Sequence, residues 1–303
     1  KYISQKGFSV IYSPFKTSMA IINPNKCYKM IWSGFKEGMI AWSDRIDTTK
    51  IGIVGHSYGG GAVPGIAIKA IIEQNWGKKS TFLYIMAPWF SHWITPSQLK
   101  NFPKHAIMIM QCFENDKIND PRIGIDIFNS IEINSIQKGF IYLHSDTCHS
   151  TFLNAGHTVP EGKDRNDSKV NDLDNYGILP FFEALSSYST RNDPTSWNSI
   201  FSNEATRIRS LRICSKSNTR KQVMKELTHI PVHPEIFYVN FWHHIRNPRA
   251  HKEYKLDHTV SFSQSNASTT ITNYLSILFY PAKIRAMEEE LNEDDFKEWE
   301  EKI

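Results

Sequence analysis

Five apolar segments, separated by helix-like stretches, constrain the fold of this chain more than any other feature. Each is apolar throughout rather than at alternate positions, which is typical of strands in a parallel sheet that is covered on both faces. Helical segments between parallel strands imply right-handed crossovers. The pattern predicts an α/β fold with a doubly wound, mostly parallel sheet. The predicted strands are Phe8–Tyr12, Ile51–Val54, Thr81–Ala87, His105–Phe113 and Gly139–His144.

Between and after these strands, apolar residues recur at helical spacing, which predicts helices. The predicted helices are Lys26–Ile46, Gly59–Trp76, Pro121–Ile131 and Asp174–Tyr188. Residues 1–190 are therefore interpreted as one α/β domain.

The pattern weakens over residues 191–303, which form a mixed α/β extension. Short β-like stretches occur at Ile208–Cys214 and Ile236–Trp242, and a final helix is predicted from Pro281 onward. The extension either packs on the α/β core or forms a small second domain, and the residues leave both open.

A Gly-x-Ser-x-Gly motif directly follows the second predicted strand. It consists of Gly55, His56, Ser57, Tyr58 and Gly59. In a sharp strand-to-helix turn of this kind, glycines flank the serine because a Cβ there would collide with the neighbouring strand or helix. The serine then projects above the carboxyl edge of the sheet, where the N-terminus of the following helix favours negative charge. Ser57 is the candidate nucleophile.

A carboxylate and a histidine should follow the serine in chain order in such a site. The fourth predicted strand is followed by Glu114, Asp116 and Asp120. Asp116, a few residues beyond the strand, is the favoured partner for an imidazole, and the other two acids are rivals.

Past the fifth strand the histidine candidates are His144, His149 and His157. Spacing does not separate the last two.

The region also resembles bacterial α/β-hydrolases of the esterase and lipase type over roughly residues 5–190. In those proteins a Ser-Asp turn is followed by a Leu-x-Ala-x-His-x-x-Pro segment, which Leu153–Pro160 matches. His149 falls where these relatives commonly carry glycine. The resemblance therefore implies His157 as the base, with His149 second.

The same resemblance implies an oxyanion site built from two backbone N–H groups. One belongs to Tyr58, the residue after the serine. The other comes from a loop that precedes a helix, and Lys1–Gly7 resembles the end of that helix. We therefore expect the loop to lie upstream of Lys1. We also expect the first strands of the sheet to be absent, which would leave an open edge. Trp89 and Trp93, after the third strand, either line an acyl pocket at the carboxyl edge of the sheet or pack as ordinary cap residues.

Composition excludes several other function classes. The formal net charge of +4, from 35 basic and 31 acidic residues, has no basic stripe that would indicate a nucleic-acid partner. No apolar run is long enough for a membrane span. Four cysteines lack metal-type spacing and leave the redox compartment open. The histidines at 229, 233, 243, 244 and 251 lack paired ligands, so a metal role is disfavoured.

Together these features predict a serine hydrolase that cleaves a carboxylic ester, from a small molecule or a lipid, through an acyl-enzyme. Such a mechanism requires no metal and no organic cofactor. The alternative is a non-catalytic protein that keeps the α/β-hydrolase fold as a binding or structural module.

Overall fold

A computed structural model describes residues 2–13, 15, 23–161, 170–201, 208–215 and 275–281. Over these ranges the strands form a seven-stranded sheet in the order β1-β9-β2-β3-β4-β5-β8 and a separate hairpin of β6 and β7. The strands are β1 Ser9–Tyr12, β2 Ile46–His56, β3 Ser80–Met86, β4 Ala106–Phe113, β5 Lys138–Leu143, β6 Asp146–Cys148, β7 Thr151–Leu153, β8 Ile208–Leu211 and β9 Leu275–Pro281.

Helices cover both faces of the large sheet. They are α1 Tyr2–Gln5, α2 Pro24–Ala41, α3 Tyr58–Ile68 with a π turn at Lys69–Glu73, α4 Pro96–Lys100, α5 Pro121–Ser130, α6 Asp172–Gly177, α7 Leu179–Arg191 and α8 Pro194–Phe201. Two short 3₁₀ turns lie at Ser135–Gln137 and Val159–Glu161. None of the helices in the described part of the chain is both long and apolar enough to cross a bilayer.

The predicted parallel sheet is confirmed. Strands β2, β3, β4, β5 and β8 run parallel to one another. Every residue of β3 and β4 is buried, which agrees with their continuously apolar sequence. The α/β fold follows directly from this burial, because such strands need helices on both sides.

Two apolar clusters show that the sheet is covered on both faces. Ile53 of β2 belongs to the cluster that contains Phe35 of α2 and Val63 of α3. The next residue, Val54, belongs to the cluster that contains Phe181 of α7 and residues of α8. Neighbouring strand residues point to opposite faces, so the two clusters form separate cores on either side of the same sheet.

The predicted helices are present with changed boundaries. The helix expected to run to Trp76 is α-helical only to Ile68 and then widens into a π turn. The helix expected over Asp174–Tyr188 is divided at Ile178 into α6 and α7. Pro180, in the first turn of α7, explains the division. Proline has no backbone N–H to donate, and its ring clashes with a helical turn before it.

Two strands from the C-terminal third belong to the main sheet. The β-like stretch predicted at Ile208–Cys214 contains β8, Ile208–Leu211, which pairs parallel with β5. β9 lies between β1 and β2 and is antiparallel to both, and over the described residues β1 is the outermost strand on that side of the sheet. An open edge left by absent strands stays a prediction. Both strands pack on the core, and a domain division near residue 190 stays a prediction. The β-like stretch predicted at Ile236–Trp242 and the histidines at 229, 233, 243, 244 and 251 lie outside the described residues. So does the helix predicted from Pro281 onward, apart from Pro281 itself, which ends β9.

Candidate functional site

The turn between β2 and α3 holds Ser57 in a rare backbone conformation. Its φ of 57° and ψ of −120° are strained for a residue with a side chain. Hydrogen bonds on both sides of the residue maintain this geometry. Ser57 N–H donates to the Met86 carbonyl at 3.0 Å, and its own carbonyl accepts from Gly61 N–H at 3.0 Å and Trp89 N–H at 2.8 Å.

Gly55, the glycine that precedes this turn, has no room for a side chain. A Cβ on Gly55 would lie 2.4 Å from the backbone oxygen of Gly59 and 2.7 Å from a Val63 methyl group. Neither neighbour can withdraw easily, since both belong to α3. The local sequence therefore folds in this way because only a bare backbone fits between the strand end and the helix.

The structure brings Ser57, His157 and Asp116 into one hydrogen-bonded series. Ser57 Oγ lies 2.8 Å from His157 Nε2, and His157 Nδ1 lies 2.8 Å from Asp116 Oδ2. All three residues are buried. These distances are within hydrogen-bond range, so an imidazole stands between a hydroxyl and a carboxylate.

Asp116 is fixed by its own loop between β4 and α5. Its second oxygen, Oδ1, accepts hydrogen bonds from Ile118 N–H at 2.8 Å and Asn119 N–H at 2.9 Å. With two backbone donors on one oxygen and the imidazole on the other, the carboxylate has one orientation available. His157 Nδ1 is thereby assigned as the protonated nitrogen, which leaves Nε2 as the acceptor facing Ser57.

The rival acids have other partners. Glu114 Oε1 lies 2.8 Å from His144 Nδ1, and Glu114 Oε2 accepts from Ser145 N–H at 2.8 Å. Partial burial acts to raise the pKa of Glu114, but these hydrogen bonds outweigh it and lower the pKa. Asp120 accepts from Arg122 N–H at the start of α5 and forms an ion pair with the Arg122 guanidinium. Neither acid contacts His157 by a hydrogen bond that the structure records.

The rival histidines are also separated by the fold. His149 and Ser150 form the two-residue turn of the β6–β7 hairpin, where both have positive φ, 49° and 68°. The His149 side chain is exposed at this turn. His144 directly follows β5, and its Nδ1 lies 2.8 Å from Glu114 Oε1. His157 lies beyond the hairpin, and it alone of the three is recorded in contact with Ser57.

The loop that carries His157 is anchored at several points. Ala155 N–H and Asn115 Nδ2 both donate to Ser145 Oγ, at 2.9 Å and 2.8 Å, and Asn115 N–H donates to the Ala155 carbonyl at 2.9 Å. These bonds connect the loop of Asp116 to the loop of His157. The spacing between carboxylate and imidazole is thus set by backbone contacts as well as by their own hydrogen bond.

A disulfide reinforces the hairpin that precedes His157. Cys148 of β6 is bonded to Cys214, just after β8, 66 residues along the chain. The Asp146 carboxylate supports the same connection, since it accepts from Cys214 N–H at 2.7 Å and from Ser215 N–H at 2.9 Å. Burial acts to raise the pKa of Asp146, but the hydrogen bond from the Ser215 hydroxyl at 2.6 Å and those from the backbone N–H groups hold it well below its usual range. Sequence spacing did not predict this pairing.

His56, the residue before Ser57, packs against the candidate base. The two imidazole rings are 4.5 Å apart between centroids, and His56 is fully buried. Burial, with a smaller effect of the nearby His157, lowers the pKa of His56 well below its usual range. A neutral ring here supports the imidazole of His157 without adding a second positive charge beside it.

Tyr58 opens helix α3, so its backbone N–H belongs to the free N-terminal turn beside Ser57. Its side chain turns away into an aromatic group, with its ring 5.3 Å from Tyr28 and 5.2 Å from Phe15. The Tyr58 hydroxyl donates to the Pro24 carbonyl at 3.2 Å. Backbone N–H groups at a helix N-terminus favour negative charge, so a role of Tyr58 N–H as an oxyanion donor stays a prediction.

Trp89 and Trp93 occupy different places. Trp89 is buried beside the turn between β2 and α3, where its N–H donates to the Ser57 carbonyl. Trp93 lines a cavity of about 680 Å³ between α2 and the far end of α3, together with Trp32, Lys36, Lys69 and Gln98. None of Ser57, Asp116 and His157 lines that cavity. A role of either tryptophan in substrate binding stays a prediction.

One buried amide near the serine was missed by sequence reasoning. Asn119, three residues after Asp116, places its side-chain nitrogen 3.3 Å from Ser57 Oγ. The loop sequence gives no sign of this contact, because neighbouring polar residues such as Asn115 look equivalent. Over the described ranges, no group of three or more His, Cys, Asp or Glu side chains is placed to hold a metal ion.

Comparison with known proteins adds no family assignment. Neither a scan against protein-family models, nor a search of curated proteins, nor a search of solved structures found a match to this chain.

Proposed function

We propose that this chain is a serine hydrolase of the α/β-hydrolase superfamily that cleaves carboxylic esters. The observation that carries the proposal is the series from Ser57 Oγ through His157 to Asp116, with both hydrogen bonds at 2.8 Å. A hydroxyl with an acceptor imidazole on one side, held by a carboxylate, is the arrangement that nucleophilic acyl transfer needs. The parallel sheet and the strained turn between β2 and α3 add support, since together they present the serine at the carboxyl edge of the sheet.

In the proposed reaction, Ser57 Oγ attacks the ester carbonyl carbon while His157 Nε2 takes its proton. The negative charge that develops on the carbonyl oxygen is stabilised by Tyr58 N–H at the N-terminus of α3. His157 then gives the proton to the departing alkoxide, which leaves as an alcohol. A water molecule attacks the acyl-serine with His157 again as base, and the acid product departs as Ser57 regains its proton.

Asp116 holds the imidazole in place throughout this cycle. Its carboxylate accepts from Nδ1–H, so Nε2 stays available for proton transfer, and it stabilises the positive imidazolium that forms. Its other oxygen is occupied by two backbone N–H groups, so the carboxylate does not rotate away. The proposed cycle uses only the substrate, water, these three side chains and the backbone N–H of Tyr58.

The second candidate is a non-catalytic protein with the same fold. It is favoured by one observation, namely that Ser57 has no exposed surface and His157 is only 4% exposed. A substrate must displace neighbouring residues to reach a hydroxyl that is buried in this way. A binding or structural protein has no such requirement.

Labelling with a fluorophosphonate probe separates the two candidates, because the probe reacts covalently with activated serines. The full chain should be labelled, and Ser57→Ala should not be. Hydrolysis of p-nitrophenyl esters of short and long acyl chains, measured on the same two proteins, provides the matching turnover. A folded wild-type chain that neither reacts with the probe nor hydrolyses any ester would refute the enzyme proposal and support the non-catalytic candidate.

A further inference from the structure

Asn119 connects the candidate nucleophile to the loop that follows β3. Its side-chain nitrogen lies 2.6 Å from the Ala87 carbonyl oxygen and 3.3 Å from Ser57 Oγ. The residue is only 3% exposed, so water does not compete for these contacts. Its backbone N–H also donates to Asp116 Oδ1 at 2.9 Å. One residue therefore touches both ends of the Ser57–His157–Asp116 series.

The orientation of the amide follows from its neighbour. A backbone carbonyl only accepts hydrogen bonds, so the group 2.6 Å from Ala87 O must be the NH₂ and not the amide oxygen. An NH₂ group has two hydrogens. One is donated to the Ala87 carbonyl, and the other is available for Ser57 Oγ. Asn119 is thus a donor, and not an acceptor, toward the nucleophile.

Ala87 is itself held in an uncommon conformation, which fixes the carbonyl that orients Asn119. Its φ is 39°, and its N–H donates to the Gln111 carbonyl at 2.8 Å. With its N–H bound to β4 and its carbonyl bound to Asn119, the residue has little freedom to turn. The amide plane of Asn119 is consequently set by the backbone at the end of β3.

This arrangement determines where the hydroxyl proton of Ser57 points. A serine hydroxyl has one proton and two lone pairs. Because Asn119 Nδ2 offers only hydrogens, the proton of Ser57 is directed to the acceptor on its other side, His157 Nε2 at 2.8 Å. The attacking oxygen then already has its proton on the path to the base before the substrate binds.

We propose that Asn119 is a fourth catalytic residue, which sets the hydroxyl rotamer of Ser57 by donating a hydrogen bond to its oxygen. The inference rests on the proposed hydrolase function. During attack the same N–H stabilises the negative charge that grows on Oγ as its proton leaves. Asn119 therefore acts on formation of the acyl-enzyme and has no part in holding the rest of the substrate.

The test compares Asn119→Ala and Asn119→Asp with wild type in the full chain. Asn119→Ala removes the donor, and the second-order rate of fluorophosphonate labelling should fall by about three- to tenfold, as expected for one hydrogen bond. Asn119→Asp keeps the shape but places an acceptor beside Oγ, which draws the Ser57 proton away from His157. Its labelling rate should fall further than that of Asn119→Ala. With p-nitrophenyl esters, kcat should fall with KM little changed.

Gln111→Met is the matched control for a purely structural effect. Gln111 is another fully buried amide, whose side chain bonds to Tyr84 and to the Gly177 carbonyl at 2.8 Å and has no recorded contact with Ser57. Its backbone carbonyl, which accepts from Ala87 N–H, is kept in this variant. Its loss should lower the melting temperature while the labelling rate of the folded protein stays near wild type. If both Asn119 variants react as fast as wild type, the inference is wrong although the hydrolase proposal stands. If wild type itself is not labelled, both proposals fail together.

Discussion

His157 Nε2 lies 2.8 Å from Ser57 Oγ, although 100 residues separate the two along the chain. The contact exists because β2 and β5 end at the same edge of a parallel sheet. Ser57 follows β2 directly, and His157 follows β5 after a short disulfide-bonded hairpin. The relationship permits four predictions about activity and stability.

Removal of the imidazole at 157 should abolish turnover. His157→Ala is expected to lower kcat for p-nitrophenyl ester hydrolysis by roughly 10⁴- to 10⁶-fold, since among the described residues His157 Nε2 is the recorded acceptor for the Ser57 proton. His149→Asn is the control, because asparagine tolerates the positive φ of that turn. Its kcat should stay within about twofold of wild type. The reverse order of effects would assign the base to His149.

Conversion of the carboxylate at 116 to an amide tests its orienting role. Asp116→Asn should lower kcat by about 10⁴-fold, because an amide can stabilise the wrong imidazole tautomer. Glu114→Gln changes the neighbouring acid, which pairs with His144 instead. We expect that variant to lose thermal stability but to retain esterase activity. Equal losses of kcat in the two variants would contradict the assignment of Asp116.

The disulfide should stabilise the folded chain. Cys148 and Cys214 close a loop with a separation of 66 residues, and the entropy of a loop of that length corresponds to about 4 kcal/mol. The double variant Cys148→Ser and Cys214→Ser should therefore unfold at a clearly lower denaturant concentration than wild type. Dithiothreitol should shift wild type toward the variant and leave the variant itself unchanged. Coincident unfolding curves of the untreated proteins would show that the bond contributes nothing.

Asp146 should make stability depend on pH at the acid end. Its folded-state pKa is depressed by the hydrogen bonds from residues 214 and 215, whereas in the unfolded chain an aspartate titrates near about 3.9. The folded state then binds fewer protons, so the stabilisation is complete above that pH and is lost as the pH falls below it. Asp146→Asn should be less stable than wild type at neutral pH. The difference between the two proteins, measured by urea unfolding, should shrink on acidification below about pH 4, and a constant difference would exclude this origin.

Much of the fold could be predicted because its causes are local. The apolar runs of β3 and β4 and the helical spacing within α2 are visible in short windows of sequence. Boundaries were less accurate where a local detail intervened, as at Pro180 in the first turn of α7. The place of β9 between β1 and β2 could not be predicted, since more than two hundred residues separate it from those strands and its pairing partner is chosen in space.

The candidate site divides in the same way. Gly55 and Ser57 are identified by the Gly-x-Ser-x-Gly motif directly after a predicted strand, which is visible in the sequence. Among the polar residues that follow β4 and β5, however, spacing alone did not exclude Glu114 as an alternative to Asp116, or His149 as an alternative to His157. Their contacts across the sheet edge separate them, and the same contacts reveal Asn119 at Ser57 Oγ.

The sequence by itself determined the series of strands and helices, the glycine-lined turn and the short set of residues from which a site can be built. Only the tertiary structure decided which of those residues meet, that Cys148 is joined to Cys214, and that a late strand pairs with β2. The physical reason is the distance along the chain over which each kind of interaction acts. Backbone preferences and hydrophobic periodicity act over a few residues, whereas hydrogen bonds between side chains depend on how distant segments pack.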